Sequence, residues 1–197
     1  MRFRRHAALG LAAAACLVAT SGCTNAADWN ANRNSQIHSY DTSSIQAQPD
    51  IVAKLPQGAL EDGVLDVAAS TDYAPAEFLD PSGKAVGYDV DLTNAIAAVL
   101  GVKGTVHTAE FDSIIASIGS KYDAGISSFT ITPERTAEVD MTAYINVGSR
   151  FNVQAGNPKG VETSDHLQLC GRTIGVQVGT AQETTMRDAA EKCAQAG

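Results

Sequence analysis

The chain has 197 residues, of which 44% are hydrophobic and only 6% aromatic, and its formal net charge is −8 at pH 7. This length is sufficient for one large domain or two small ones, and the composition excludes a fibrous or membrane-embedded protein. The negative charge argues against nucleic acid as a partner, because contacts with phosphates require a basic surface.

The first 22 residues have the layout of an export signal, with a basic start, a short apolar run and small residues just before Cys23. Residues 19–23, Ala-Thr-Ser-Gly-Cys, are similar to a bacterial lipobox, in which the cysteine is lipidated and begins the mature protein. Thr20 stands where leucine is more usual. We predict a lipoprotein signal peptide at residues 1–22, with a plain secretory signal as the alternative.

Residues 23–56 are rich in asparagine, serine, aspartate, glutamine and alanine, which predicts a flexible tether. After it, strand-like runs alternate with helical stretches, which predicts an α/β domain with a mainly parallel sheet. In chain order we expect a strand at 63–70, a hairpin-like excursion at 73–90, a helix at 89–101, a strand at 103–111, a helix at 112–119, strands at 122–128, 149–155 and 173–178, and a helix at 180–194.

The clearest helix is the one at residues 89–101, where apolar residues recur on one face. We expect Asp89 or Asp91 to cap its start and Gly101 to end it.

Two cysteines, Cys170 and Cys193, enclose the last predicted strand and most of the last predicted helix. Export would place them in an oxidising compartment, where disulfides form and persist. We therefore expect them to be paired, and the alternative is two free thiols.

The stretch Ser-Ser-Phe-Thr-Ile-Thr-Pro-Glu-Arg at residues 127–135 is the most informative polar segment. Thr132 and Pro133 predict a helix start, with a hydroxyl N-cap followed by proline at the first helical position. Arg135 then lies in the first turn, where the helix dipole disfavours a cation. Ligands of open α/β sheets bind beyond the carboxyl ends of the strands, so we interpret Arg135 as a residue that binds a carboxylate. The alternative is a polar turn followed by a surface arginine.

Two further features follow predicted strand ends, and each is a weak signal alone. The first is a capping-box pattern, in which a helix starts at Thr180, Ala181, Gln182 and Glu183 and offers its free amides. The second is a pair of aromatic residues, Tyr73 and Phe111. Amides at a helix start can bind an anion, and an aromatic ring can stack on a ligand. The alternatives are an ordinary helix cap and ordinary aromatic packing.

Motifs of the common enzyme classes are missing from the sequence, which has no Gly-x-Ser-x-Gly, no phosphate-binding loop and no His/Cys spacing suited to a metal. We therefore expect no enzyme activity, no cofactor and no metal. Several carboxylates are explained by predicted caps and strand edges; they are Asp89, Asp91, Asp112 and Asp123.

Residues 62–193 resemble family 3 solute-binding proteins of ABC importers, the receptors for polar amino acids. The resemblance is carried above all by residues 120–135, SKYDAGISSFTITPER, and residues 175–183, GVQVGTAQE. It implies the periplasmic-binding-protein type II fold, in which two α/β lobes joined by a hinge close over one amino acid.

The resemblance also implies a set of ligand-binding residues. They are Tyr73, Phe111, Ser127, Ser128, Phe129, Thr130, Arg135, Thr180, Ala181 and Gln182. In this reading Arg135 holds the ligand carboxylate with help from the amides of Thr130 and Ala181, and the Ser128 carbonyl takes the ammonium group. Tyr73 and Phe111 would flank the ligand side chain.

Two residues depart from the family pattern. Receptors for basic amino acids in this family carry an aspartate where this chain has Ser70, so the prediction leans towards neutral polar or acidic ligands, with Asp72 as a possible substitute for that aspartate. Ala76 replaces an aromatic residue, which predicts a larger pocket or more open packing.

The chain stops where the family continues, inside the first helix of the second lobe. We therefore predict a truncated chain in which lobe 1, at residues 57–148, is mostly present and lobe 2, at residues 149–197, is incomplete. The acidic residue that binds the ligand ammonium in the family would lie beyond residue 197.

Together these features predict an exported receptor, anchored to the outer face of the bacterial cell membrane by Cys23 or else periplasmic. It would be a monomer that captures a free amino acid and delivers it to the permease subunits of an ABC transporter. The alternatives are a dehydratase-type enzyme on the same scaffold, a sensor ectodomain and a non-functional truncated fragment.

Overall fold

A computed structural model of the chain describes residues 39–196. The helices are α1 (Pro49–Val52), α2 (Tyr88–Leu100), α3 (Phe111–Ser117), α4 (Pro133–Thr136) and α5 (Ala181–Ala196), with a 3₁₀ turn at His166–Leu169. The strands are β1 (Val64–Ala69), β2 (Asp72–Tyr73), β3 (Glu77–Leu79), β4 (Ala85–Val86), β5 (Lys103–Thr108) and β6 (Ala124–Gly125). The predicted signal peptide, Cys23 and the first part of the predicted tether lie outside the described residues.

The central sheet is parallel and has the strand order β5-β1-β6. Val67 of β1 pairs with Val106 of β5 on one side and with Ala124 of β6 on the other. Because β1 is the middle strand and both its faces are covered, most of its side chains are buried, and Val67 is fully so. The predicted α/β domain with a parallel sheet is therefore confirmed.

The predicted hairpin-like excursion is a second, antiparallel sheet with the strand order β2-β3-β4. Asp72 pairs with Phe78, and Phe78 pairs with Val86 on its other side. This small sheet leads directly into α2, so its central strand β3 lies next to the first turn of that helix.

Helix α2 is present at the predicted position, but its start differs from the prediction. The N-cap residue is Gly87, with φ of 123°, and no side chain among residues 39–196 caps the helix. A Cβ at Gly87 would lie 2.2 Å from the carbonyl oxygen of Ala76, so only glycine lets the chain pass this close to the excursion. Asp89 is therefore inside the first turn and turned into the protein, rather than on the surface as a cap.

Helix α1 has no counterpart in the sequence-based predictions, which placed a flexible tether over this segment. Pro49 stands at its first position, where a proline is pre-organised for a helix. The amide of Gln48 donates to the carbonyl of Val99, and the amide of Tyr40 donates to Asp91. Within residues 39–56 the chain is thus hydrogen-bonded to α2.

The strands predicted at 149–155 and 173–178 are not formed among residues 39–196. These two segments make no strand ladder with any described residue, and a β-strand is defined by such a ladder. Their apolar residues, including Phe151 and Val178, are exposed accordingly.

Helix α5 confirms the last predicted helix, and Cys170 is bonded to Cys193 of that helix, as predicted, with the two Cα atoms 5.6 Å apart. The bond joins α5 to the end of the 3₁₀ turn, where Leu169 and Ala189 are buried. No helix in the described part of the chain is long and apolar enough to span a membrane.

Candidate functional site

The turn that follows β6 leads into the short helix α4, which carries Arg135. The start of α4 is as predicted, because Thr132 is its N-cap, Pro133 follows, and the Thr132 hydroxyl accepts from the amide of Arg135 at 3.4 Å. The short helix therefore fixes the backbone from which the arginine side chain extends.

The guanidinium of Arg135 is held by two backbone carbonyls. It donates to the carbonyl of Thr130 at 2.6 Å and to the carbonyl of Gly179 at 2.8 Å. Its central carbon also lies 5.3 Å from the ring centre of Phe129 and 5.6 Å from that of Phe111. Burial lowers the pKa of Arg135 from its usual value. Among the described residues no carboxylate pairs with this cation, so its charge is available to an anionic ligand.

The serines that follow β6 are held from several sides. The Ser127 hydroxyl accepts from the amide of Ser70 at 3.0 Å and donates to Glu77 at 2.5 Å. Ser128 has φ of 49°, an uncommon conformation for a residue other than glycine. Its amide donates to the Tyr144 hydroxyl at 3.1 Å. The Ser128 carbonyl direction is therefore set by a strained backbone that its neighbours stabilise.

Two carboxylates, Glu77 and Asp89, are fully buried beneath these serines. Burial raises the pKa of Glu77 to about 9, the hydrogen bond from Ser127 offsets part of this rise, and the nearby Asp89 adds to it. Asp89 Oδ2 accepts from the hydroxyls of Tyr144 at 2.8 Å and Ser128 at 3.2 Å. Neither carboxylate was singled out from the sequence as part of a site, because burial of a glutamate depends on partners that are distant along the chain.

Ser70, the position that departs from the family pattern, connects two parts of the chain. Its hydroxyl donates to Asp72 at 2.9 Å and accepts from the side-chain amide of Gln177 at 3.2 Å. Asp72 is therefore directed towards Ser70. Gln177 is a further residue of this region that the sequence did not indicate.

The start of α5 shows the predicted capping pattern in altered form. The Thr180 hydroxyl accepts from the amide of Glu183 at 3.1 Å, as in a capping box. The Glu183 carboxylate, however, accepts from the amide of Gly179 rather than from that of Thr180, at 2.7 Å. Gln182 donates to the Ser149 hydroxyl at 2.6 Å, so it ties the helix to the neighbouring extended segment.

The aromatic residues of the predicted site have different surroundings. Phe111 stacks on Phe129, with the ring centres 4.5 Å apart, and Arg135 contacts both rings. Tyr73 is 53% exposed and its ring has room for a ligand. Ala76 is fully buried, so the small residue at that position belongs to the packing and does not enlarge the cleft.

A cleft of about 1140 Å³ brings most of the predicted residues together. The predicted ligand residues that line it are Tyr73, Phe111, Ser127, Ser128, Thr130, Arg135, Thr180, Ala181 and Gln182. Phe129 is not among the lining residues; its ring stacks on Phe111 and packs against the buried cluster that contains Ile114. The described residues contain no cluster of three or more His, Cys, Asp or Glu side chains suited to a metal.

The fold and the cleft correspond to a known family. A model of the bacterial extracellular solute-binding proteins, family 3, matches residues 65–195, and the chain belongs to this family. Its fold class is the α/β, two-lobed periplasmic-binding-protein type, as predicted.

Two curated relatives illustrate the similarity. The arginine-binding protein ArgT of Corynebacterium glutamicum is 33% identical over 138 residues, which cover 69% of this chain and 44% of ArgT. The L-cystine-binding protein TcyJ of Escherichia coli (strain K12) is 33% identical over 129 residues, which cover 64% of this chain and 48% of TcyJ. The chain thus spans about half the length of these relatives.

Solved structures agree with this similarity. The ancestral amino acid-binding protein AncCDT-1, a precursor of cyclohexadienyl dehydratase, has a TM-score of 0.62 and 32% identity, covering 68% of this chain and 60% of AncCDT-1. An ancestral arginine-binding protein bound to arginine has a TM-score of 0.57 and 34% identity, covering 66% of this chain and 57% of its own.

Proposed function

We propose that this protein binds a free amino acid in the cleft and delivers it to the permease of an ABC importer. The observation that carries the proposal is the position of Arg135, whose guanidinium is held by two carbonyls yet has no carboxylate partner among the described residues. The planar guanidinium suits a ligand carboxylate, which it can bind through two parallel hydrogen bonds.

The other cleft residues suit the remaining parts of an amino acid. Tyr73 and Phe111 offer aromatic faces to the ligand side chain, while the carbonyl of Ser128 and the hydroxyl of Thr130 are acceptors for its ammonium group. The amides of Thr130 and Ala181 would assist Arg135 at the carboxylate, and Gln182 would form the opposite wall together with Thr180.

We further propose a neutral polar or acidic amino acid as the ligand. Ser70 stands where receptors for basic amino acids have an aspartate, and the nearby Asp72 already accepts a hydrogen bond from Ser70. The named relatives bind arginine or cystine, so both kinds of ligand belong in any screen.

An enzymatic role on the same scaffold is the second candidate, because the structural neighbour AncCDT-1 is described as a precursor of a dehydratase. Such an enzyme needs an acid that reaches the substrate. Glu77 has the raised pKa that this chemistry calls for, but it is fully buried beneath Ser127. Its burial and its hydrogen bond from Ser127 give this carboxyl group a supporting place at the floor of the cleft, which favours the receptor.

The cellular location belongs to the same proposal. Residues 1–22 would act as a lipoprotein signal and Cys23 would carry the lipid anchor, so that residues 23–56 connect the membrane to the domain. Mass spectrometry of the N-terminal peptide from cell membranes tests this, since a diacylated Cys23 is expected, and a peptide that begins at Met1 would contradict it.

A thermal-shift screen of the twenty amino acids tests the proposed function. Millimolar ligand over a micromolar site stabilises the native state by roughly 4 kcal/mol, which raises the melting temperature by several degrees. We expect a shift with one or a few amino acids that is lost in Arg135→Ala and kept in Arg187→Ala, an exposed arginine paired with Glu183 on its own helix. No shift with any amino acid, or an equal shift in Arg135→Ala, would contradict the proposal.

A further inference from the structure

The two buried carboxylates beneath the cleft have an unusual arrangement of partners. Glu77 Oε1 accepts the hydroxyl proton of Ser127, and Asp89 Oδ2 accepts those of Tyr144 and Ser128. Each carboxylate therefore has one oxygen in use as an acceptor. The other oxygens, Glu77 Oε2 and Asp89 Oδ1, are buried and have no hydrogen-bond partner among the described residues.

Those two remaining oxygens belong to neighbouring residues, because the amide of Asp89 donates to the carbonyl of Ala76, next to Glu77, at 2.9 Å, and Asp89 is among the groups that raise the pKa of Glu77. Two ionised carboxylates on these neighbouring residues would repel each other where both are buried, and each would keep an unsatisfied oxygen. A single proton on Glu77 Oε2, donated to Asp89 Oδ1, removes both problems at once. The pair then carries one negative charge, which the hydroxyls of Tyr144 and Ser128 solvate.

We propose that Glu77 and Asp89 share one proton at neutral pH and that this pair is a positioning device for the Ser127–Ser128 turn of the cleft. The first part concerns the carboxyl groups alone. The importance of the turn for a ligand rests on the proposed function, so the experiments below need no ligand.

The connection to the turn is direct. Ser127 donates to Glu77, while Ser128 reaches Asp89 through its own hydroxyl and through the Tyr144 hydroxyl that accepts from its amide. The left-handed conformation of Ser128 is unfavourable for a residue with a side chain, and these hydrogen bonds hold it. Loss of the shared proton would place a second charge under this turn.

The charged and titratable groups around the pair favour the same protonation. Asp72, on the neighbouring strand β2, adds a further negative field, and burial raises the pKa of Glu77 to about 9. Burial also raises the pKa of Tyr144, which therefore remains a neutral hydrogen-bond donor. Each of these effects disfavours a second ionised carboxylate at neutral pH.

The sign of the pH dependence follows from these values. The usual pKa of glutamate is 4.5, so between about pH 4.5 and pH 9 the folded protein holds a proton that the unfolded chain lacks. The contribution of Glu77 to the free energy of unfolding is greatest below pH 4.5 and falls as the pH rises towards 9. Above pH 9 it no longer changes with pH. Glu77→Gln should remove this decline, because its amide donates permanently to Asp89.

Infrared difference spectroscopy of the purified protein at pH 7 tests the shared proton. We expect a carbonyl stretch of a protonated carboxyl group that disappears in Glu77→Gln and shifts in frequency in Asp89→Asn, because the buried carboxyl group then loses its charged acceptor. The exposed Glu61→Gln should retain the signal. Absence of the signal in the wild type, its persistence in Glu77→Gln, or an unchanged frequency in Asp89→Asn would overturn the proposal.

Paired substitutions test the same point through stability. Each single amide variant can satisfy the pair, but in Glu77→Gln with Asp89→Asn the two amide groups would direct donors at each other. We expect the double variant to lose clearly more stability than the two single variants lose together. On unfolding at pH 7 the wild type should release about one bound proton, and Glu77→Gln should release none. Additive effects and equal proton release would contradict a shared proton.

Hydrogen exchange of the segment that contains Ser127 and Ser128 tests the positioning role. At pH 7, Glu77→Gln should have the same exchange rate as the wild type in this segment. Glu77→Ala should exchange at least several-fold faster there, while its exchange rate in strand β5 should be unchanged. At pH 10 the wild type should exchange faster than Glu77→Gln after correction for the intrinsic rate. Equal protection in Glu77→Ala and Glu77→Gln would show that the pair does not position the turn.

Discussion

The guanidinium of Arg135 donates a hydrogen bond of 2.8 Å to the carbonyl oxygen of Gly179, 44 residues further along the chain. Its other terminal nitrogen donates to Thr130 at 2.6 Å. The arginine therefore joins the turn after β6 to the start of α5, the two segments that would contact the carboxylate of the proposed ligand. Donors that are already held in place bind a ligand with less loss of conformational entropy.

Gly179 is expected to be intolerant of a side chain. A Cβ there would lie 2.7 Å from the Cβ and 2.9 Å from the Cα of Asp112, and φ is 78°. Gly156 has the same φ, and in the part of the chain that the structure describes no atom lies within 4 Å of an added Cβ, so it is a matched control. Both alanine variants pay for the left-handed backbone, and Gly179→Ala should lose at least about 1 kcal/mol more in urea unfolding.

The same comparison has a clear contradicting result. If Gly179→Ala and Gly156→Ala were equally destabilised, the close approach between Gly179 and the first turn of α3 would be wrong. The carbonyl of Gly179 would then have no fixed position relative to Arg135.

The disulfide between Cys170 and Cys193 should stabilise the segment that carries α5. The bond closes a loop over a sequence separation of 23 residues, for which loop-closure entropy predicts roughly 3 kcal/mol. Urea unfolding of Cys170→Ala with Cys193→Ala should therefore show a loss of about that size. As a control, added reductant should destabilise the wild type and leave the double variant unchanged, and an equal response of both would contradict a disulfide contribution.

Tyr73 is expected to matter for binding and little for folding. Its side chain is 53% exposed at the rim of the cleft, so Tyr73→Ala removes few buried contacts. We expect a melting temperature within about 2 °C of the wild type and at least about fivefold weaker binding of the amino acid that the screen identifies. Tyr40→Ala, at a tyrosine that is 67% exposed, is the control for a general surface effect. Unchanged affinity in Tyr73→Ala would remove Tyr73 from the site.

Much of the fold could be predicted because its signals are local. The apolar periodicity of α2 and the Thr132–Pro133 start of α4 are both visible in short stretches of sequence, and the pairing of the two cysteines was expected from the predicted export. The strands expected at 149–155 and 173–178 have equally good local patterns but are wrong for the described structure, because a strand also requires a partner.

The residues that line the cleft were predictable to a similar extent. Arg135 and the serines after β6 follow from strand ends and from a helix start, together with a family resemblance. The pair of Glu77 and Asp89 could not be found in this way, because glutamate and aspartate are usually exposed and Asp89 looks like a helix cap. Gly87 lies close against Ala76, and this close contact places Asp89 in the first turn of α2 with its side chain buried.

The central claim, that Arg135 binds the carboxylate of an amino acid, is tested most directly by calorimetric titration. The titrants are the amino acid found in the screen and its carboxamide, each added to the wild type and to Arg135→Lys. Hydrogen bonds to charged groups are worth about 1.5–3 kcal/mol, so the wild type should bind the carboxamide roughly 10- to 100-fold more weakly. Arg135→Lys should bind the amino acid comparably weakly and discriminate less between the two titrants. Equal affinities of the wild type for both compounds, or undiminished discrimination in Arg135→Lys, would contradict the account.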